Sequence, residues 1–142
     1  MKVRVLLVDD EEQFVETLAQ RLEARDFAVA TAFNGDQALN YIKGKEVDVV
    51  VLDVLMPGLS GIDTLREIKR IRPLTEVIML TGHATVETAI EGMKLGAFDY
   101  LMKPTEIEDL VDKINKARRR KAEQEERIQK ATIDRITRTR GF

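Results

Sequence analysis

Short aliphatic runs alternate along the chain with stretches whose apolar residues recur at helical spacing. The runs are Val3–Val8, Ala28–Ala32, Val47–Leu52, Val77–Leu80 and Phe98–Met102. Three of them are β-branched and nearly continuous, the pattern of parallel strands buried on both faces. Ala28–Ala32 is weaker and predicts a strand at a sheet edge. Between the runs, Phe14, Leu18 and Leu22 recur at i, i+4 and i+8, and Ala38, Tyr41 and Ile42 follow Gly35. Ile62, Leu65, Ile68 and Ile71 make a third helical face, Val86, Ala89, Ile90 and Met93 a fourth, and Ile107, Leu110, Val111 and Ile114 a fifth. Strand followed by helix, five times over, predicts an α/β fold of three layers. Right-handed crossovers would place helices on both faces of a parallel five-stranded sheet.

The C-terminal stretch departs from this rhythm. The fifth helix continues past Ile114 through Ala117-Arg118-Arg119-Arg120-Lys121 and into Glu123, Glu125 and Glu126. A heptad seam runs through Leu110, Ile114, Ala117, Lys121, Gln124, Ile128 and Ala131, but Lys121 and Gln124 are polar, so any self-association through it is expected to be weak. The chain therefore divides into a globular domain over residues 1–120 and a helical tail or linker over 121–142.

A chain of 142 residues with 44% apolar and 34% charged content can build one self-sufficient core, which excludes a disordered chain. The net charge of −2 gives no general pull toward nucleic acid or anionic membrane. The basic cluster Arg118–Lys121 reads as a solvated helix face, because Glu123, Glu125 and Glu126 partly cancel it. Direct nucleic-acid binding by this chain is therefore not expected. Cysteine is absent, which removes disulfides, thiolate metal sites and a thiol nucleophile. No apolar run approaches the roughly 20 residues of a membrane span, and the N-terminus has no signal-peptide core. A cytoplasmic location without membrane contact is the resulting expectation.

Ligands of open parallel sheets bind beyond the carboxyl ends of the strands. The residues just past the predicted strands are Asp9 and Asp10, Asp53, Thr81, and Lys103 with Pro104. Each has an ordinary explanation in isolation. Asp10 with Gln13 could be a helix cap, Asp53 could open the turn at Pro57-Gly58, and Thr81 could cap the next helix. Lys103 before Pro104 could be a solvated turn residue, and His83 has no second histidine with which to share a metal. Together they read differently. Clustered carboxylates repel unless a cation neutralises them, and Mg²⁺ takes one or two carboxylates together with phosphate oxygens. A lysine and a hydroxyl on the same rim suit those phosphate oxygens. The rim therefore reads as a carboxylate, Mg²⁺ and phosphoryl site in which one carboxylate can act as nucleophile.

Val8-Asp9-Asp10-Glu11, Val51-Leu52-Asp53-Val54-Leu55-Met56-Pro57-Gly58 with Gly61, Leu80-Thr81-Gly82 and Asp99-Tyr100-Leu101-Met102-Lys103-Pro104 resemble the receiver domain of two-component response regulators. The resemblance covers Val3 to about Ala117. Thr81-Gly82-His83-Ala84 and Lys94–Tyr100 are most similar to receivers of the nitrogen-regulation type, the sigma-54-dependent activators, which precede an ATPase module and a DNA-binding module. The resemblance implies the flavodoxin-like strand order 2-1-3-4-5, with residues 1–120 as the receiver. It implies that Asp53 accepts a phosphoryl group from a sensor histidine kinase or phosphotransfer protein, with Mg²⁺ as cofactor. Asp10, Asp53 and the Leu55 backbone carbonyl would ligate the metal, and Asp9 would act through water. Lys103, aimed by a cis bond before Pro104, would pair with Asp53 and then with the phosphoryl oxygens. Thr81 would move onto the phosphoryl group, and Tyr100 would turn inward, altering the surface of the fourth helix, fifth strand and fifth helix. Many relatives carry Phe after the Lys-Pro pair, whereas this chain has Thr105.

Two rivals with related folds or chemistry fit less well. A flavin carrier needs a hydroxyl-rich phosphate loop where this chain has Asp9-Asp10-Glu11-Glu12, and an aspartyl phosphatase places a second Asp where Leu55 stands. The remaining alternative is a receiver-shaped interaction module that works without phosphate. The presence of Asp10, Asp53, Thr81 and Lys103 together counts against it.

Overall fold

The computed structural model describes residues 1–140. Five strands alternate with five helices: β1 (Arg4–Val8), α1 (Glu12–Glu23), β2 (Ala28–Ala32), α2 (Gly35–Gly44), β3 (Val49–Leu52), α3 (Gly61–Ile71), β4 (Glu76–Thr81), α4 (Val86–Lys94), β5 (Asp99–Met102) and α5 (Ile107–Arg140). The strands pair in parallel in the order β2-β1-β3-β4-β5, so the Ala-rich β2 is indeed an edge.

The two faces of the sheet follow from side-chain alternation along the strands. Leu6, Val8, Val50, Leu52, Val77 and Met79 pack with residues of α2 and α3, including Ala38, Ile42, Leu65 and Ile68. Val5, Leu7, Val49, Val51, Ile78 and Leu80 pack against Val15, Leu18 and Leu22 of α1 and Leu110, Ile114 and Ala117 of α5. The central strands β1, β3 and β4 are thus apolar on both sides, which is why their runs read as continuous rather than alternating.

One helix differs from the sequence expectation. The apolar stripe of α4 faces solvent: Val86 is 76% exposed, Ile90 50% and Met93 47%. The helix rests on the sheet through Gly92, its only buried residue, where a Cβ would come within 3.8–3.9 Å of Met79, Ile62 and Tyr100. Helical spacing alone does not say which face is inward, and here the small residue permits the close approach.

α5 is continuous across residue 120. Lys121, read from sequence as part of a solvated face, is 3% exposed and packs over the amino-terminal end of the sheet with Asp48, Glu46 and Glu125 as partners. Beyond it α5 projects away from the domain, with Ile128, Ile133 and Ile136 about half exposed. No described helix is long and apolar enough to cross a membrane.

Candidate functional site

The strand ladder carries the acidic residues to one rim. Asp9 donates its backbone N–H to the Ala32 carbonyl at 3.2 Å, and Asp53 donates to the Val8 carbonyl at 3.0 Å, so each lies one step past its strand with its backbone still held. Lys103 is placed the same way by its N–H to the Thr81 carbonyl at 2.9 Å. The loop after β3 folds back on Asp53 because Gly61 donates to the Val54 carbonyl at 2.8 Å. A Cβ at Gly61 would collide with the Asp53 carbonyl oxygen and the Val54 backbone. Gly58, at φ +79°, supplies the left-handed residue that this turn needs.

Asp9, Asp10 and Asp53 each offer a carboxylate oxygen, and these atoms lie within 4.8 Å of one another. Asp9 and Asp53 are buried and Asp10 is exposed. Asp9 accepts the Glu11 N–H at 2.9 Å through one oxygen and the Lys103 ammonium through the other. Asp53 accepts the Val54 N–H at 2.8 Å. Asp10 does not cap α1: the N-cap is Glu11, which makes no side-chain cap bond. Among the described residues, no hydrogen bond or ion pair engages the Asp10 carboxylate, which leaves it free to serve the rim.

Lys103 meets Asp9 rather than Asp53, with Glu11 Oε1 at 3.5 Å and the Phe14 ring centroid at 4.1 Å. The Lys103–Pro104 bond is cis. Thr81 ends β4 fully buried, and its hydroxyl accepts the His83 N–H at 3.0 Å. The cap of α4 is instead Thr85, in a reciprocal box with Thr88. Leu55 lies exposed in the loop after β3. Tyr100 is half-buried on β5, and its hydroxyl shares a 2.8 Å hydrogen bond with Thr88 of α4.

The electrostatics of the rim are short of positive charge. Burial pushes the Asp53 carboxyl above its ordinary value; the Asp9 charge adds to the rise, and Thr81, Lys103 and the Val54 N–H only partly oppose it. Burial alone would lower the Lys103 ammonium, but its hydrogen bond to Asp9 and the charges of Asp9, Asp53 and Glu11 hold it above its ordinary value. Three carboxylates face one ammonium, and every donor is oxygen. That set fits a hard divalent cation such as Mg²⁺ better than any softer metal.

Sequence reasoning missed Phe14 and Glu11 as neighbours of Lys103, since Phe14 reads simply as part of an apolar helix stripe. It also missed Asp48 and Lys121, which meet only because the extended α5 passes the start of β3.

A profile of the response regulator receiver domain matches residues 5–115. The transcriptional regulatory protein ZraR of Salmonella typhimurium is 38% identical over 116 residues, covering 82% of this chain and 26% of that protein. A putative NtrX-like response regulator of Rickettsia conorii is 40% identical over 115 residues, covering 80% of this chain and 24% of its own length. The chain spans about a quarter of the length of these relatives. The crystal structure of a response regulator receiver domain protein from Clostridium thermocellum superposes with a TM-score of 0.80 at 42% identity, covering 84% of this chain and 97% of that one.

Proposed function

The chain belongs to the response regulator receiver domain family, and we propose that it is a phosphorylation-dependent signalling switch whose phosphoacceptor is Asp53. The observation that carries this reading is the convergence of Asp9, Asp10 and Asp53 within 4.8 Å, with the Lys103 ammonium on the same rim. Asp10, Asp53 and the Leu55 carbonyl would hold Mg²⁺, with Asp9 acting through water. When bound, the ion supplies neutralising charge for an anionic donor approaching an anionic nucleophile.

The chain's own residues do the rest. An Asp53 carboxylate oxygen attacks phosphorus, and the P–N bond of a phosphohistidine breaks with its electron pair returning to the imidazole. Lys103 shifts from Asp9 toward the new phosphoryl oxygens. Thr81 gives up its bond from the His83 N–H and turns its hydroxyl onto the same group. Tyr100, bonded to Thr88, links that movement to α4, which is lightly seated and shows apolar residues to solvent. The surface of α4, β5 and α5 is thus the proposed output face. Apart from this self-phosphorylation and slow loss of the phosphoryl group, no enzymatic turnover is proposed.

A sensor histidine kinase or phosphotransfer protein as donor, a cytoplasmic location and a role in transcription regulation of the sigma-54-activator type belong to the same proposal. Residues 1–120 form the receiver and 121–142 a helical tail or linker, of which 141 and 142 lie outside the described residues. The exposed Ile128 and Ala131, on the heptad seam, support weak homodimerisation through that tail. Sedimentation of the parent against a variant with Ile128→Asn and Ala131→Asn tests it: equal monomer fractions, with or without phosphoryl donor, would remove the dimer. The central test is incubation with Mg²⁺ and acetyl phosphate followed by intact mass. One added phosphoryl group, lost on chelation of the metal beforehand, is expected; no added mass would refute the reading.

A further inference from the structure

We propose that Phe14 is a positioning residue for Lys103: the face of its ring holds the ammonium at the acidic rim and keeps it in reach when the charge of Asp9 is engaged elsewhere. The inference rests on the phosphoacceptor reading above. Lys103 Nζ lies 4.1 Å from the Phe14 ring centroid, well inside the roughly 6 Å range over which a ring quadrupole attracts a cation.

The need for such a hold comes from the surroundings. Lys103 carries its charge on a four-carbon stem, so the ammonium sits where its partners put it. Packing constrains it on one side only, because Lys103 and Phe14 both line an open cleft of about 260 Å³, bordered also by Leu18, Pro104 and Thr105. Its other two partners are the Asp9 and Glu11 carboxylates. Asp9 belongs to the cluster that would serve a divalent cation, and a cation there would draw off the Asp9 charge and repel the ammonium. The ring neither ligates a hard metal nor takes a proton, so its attraction survives that change. It is also fixed, since Phe14 sits on the first turn of α1 and packs against the α1/α5 core. An aliphatic residue would complete the same helix stripe; only an aromatic one adds the electrostatic hold.

The test separates ring electrostatics from ring shape. In the full chain, Phe14 is replaced by its 4-fluoro, 3,5-difluoro and 3,4,5-trifluoro analogues, which keep the shape and progressively drain negative charge from the ring face. The rate of phosphoryl uptake from acetyl phosphate at saturating Mg²⁺ should fall stepwise, by about two- to thirty-fold across the series. Phe14→Tyr should stay near the parent, and Phe14→Leu should lie at the slow end. Independently of activity, NMR of the metal-free and Mg²⁺-loaded parent should show the Lys103 Hε protons shifted upfield by the ring current, and Phe14→Leu should abolish the shift. A flat rate across the fluorine series in a protein that does take up phosphate, or unshifted Hε protons in the parent, would overturn the role of Phe14 alone. A parent that takes up no phosphate would overturn the underlying reading.

Discussion

Asp48 and Asp53 stand at opposite ends of β3, the first just before the strand and the second just after it, and both are buried. Asp48 accepts the Arg4 N–H at 2.9 Å and the Arg4 guanidinium at 3.0 and 3.2 Å, and Lys121 Nζ lies 3.2 Å away. Burial would raise its pKa, yet Arg4 and Lys121 more than offset that and hold the carboxyl below the ordinary value. Asp53 has the opposite balance and is pushed up. The same residue type, buried to the same degree in one strand's extension, is a closed ion cluster at one end and an undersupplied one at the other. A carboxylate that only supports the fold can be matched by cations built into the chain. One that accepts an anion, the role proposed for Asp53, would need its counter-charge to arrive with the reaction.

The sharpest way to break this contrast is chemical. Asp53→Asn is expected to abolish phosphoryl uptake from acetyl phosphate, while Asp48→Asn retains it; intact mass reads both. Comparable loss in the two variants would mean that the ends are not functionally distinct.

Stability should respond the other way round. Asp48→Ala removes the buried hydrogen bonds from Arg4 and leaves Arg4 and Lys121 only the more exposed Glu46 and Glu125, and should cost about 3 kcal/mol in urea unfolding at pH 7. Asp53→Asn should stabilise the metal-free protein, because it removes a charge that the fold disfavours. The pH dependences carry opposite signs. The depressed carboxyl of Asp48 contributes stability that is present above its ordinary value of 3.8 and is lost as pH falls through the lower folded value. The raised carboxyl of Asp53 adds a cost that grows as pH climbs from 3.8 through its higher folded value. The gap between parent and Asp48→Asn should therefore close on acidification, and the gap between parent and Asp53→Asn should open as pH rises.

A slightly smaller effect concerns added metal. Mg²⁺ at one hundred times Kd should raise the unfolding free energy by about 2.7 kcal/mol. Asp10→Asn should shrink that gain, and Asp48→Ala should keep it in full despite its lower starting stability. Unfolding curves in chelator and in Mg²⁺ measure both. An Mg²⁺ gain that falls in Asp48→Ala would tie the two clusters together and undo the comparison.

The strand–helix alternation and the rim residues were legible because they obey local rules: β-branched runs mark buried parallel strands, and strand ends mark the binding edge. The rim stood out because Asp9, Asp10, Asp53 and Lys103 each follow a strand, with Thr81 closing another, and converge wherever the sheet is parallel; which carboxylate is the acceptor came from the family resemblance. The orientation of α4 was not legible, since its apolar stripe and its small face are equally periodic and tertiary packing chose Gly92. The bond of Lys103 to Asp9 in place of Asp53 depends on where a flexible stem finds charge, which spacing cannot report. Lys121 was misread for a related reason. Its neighbours along the helix are basic and acidic in turn, as on a solvated face, while the partners that bury it stand far back in the chain at Glu46 and Asp48.

Lys121 also yields the smallest predicted effect, because its cluster holds more cations than Asp48 needs. Lys121→Met keeps most of the buried stem and removes only the ammonium; taking one partner from a buried pair is costly when it leaves the other charge alone, and here it does not. Asp48 would retain Arg4 and, at 3.7 Å, Arg118; Glu46 would retain Arg4 at 3.5 Å. Glu125 would lose an i, i+4 partner worth roughly 0.3–0.5 kcal/mol. With those partners kept, the expected change in unfolding free energy is below about 1 kcal/mol. Arg4→Met alone should cost more, since it takes away the strongest bonds to Asp48. Combining the two should cost more than their sum, because Asp48 then keeps only the distant Arg118 and becomes a buried charge without a close partner. A double-mutant cycle by urea unfolding measures that coupling. Strict additivity would show that the cations act singly and that redundancy does not distinguish this end of β3 from the other.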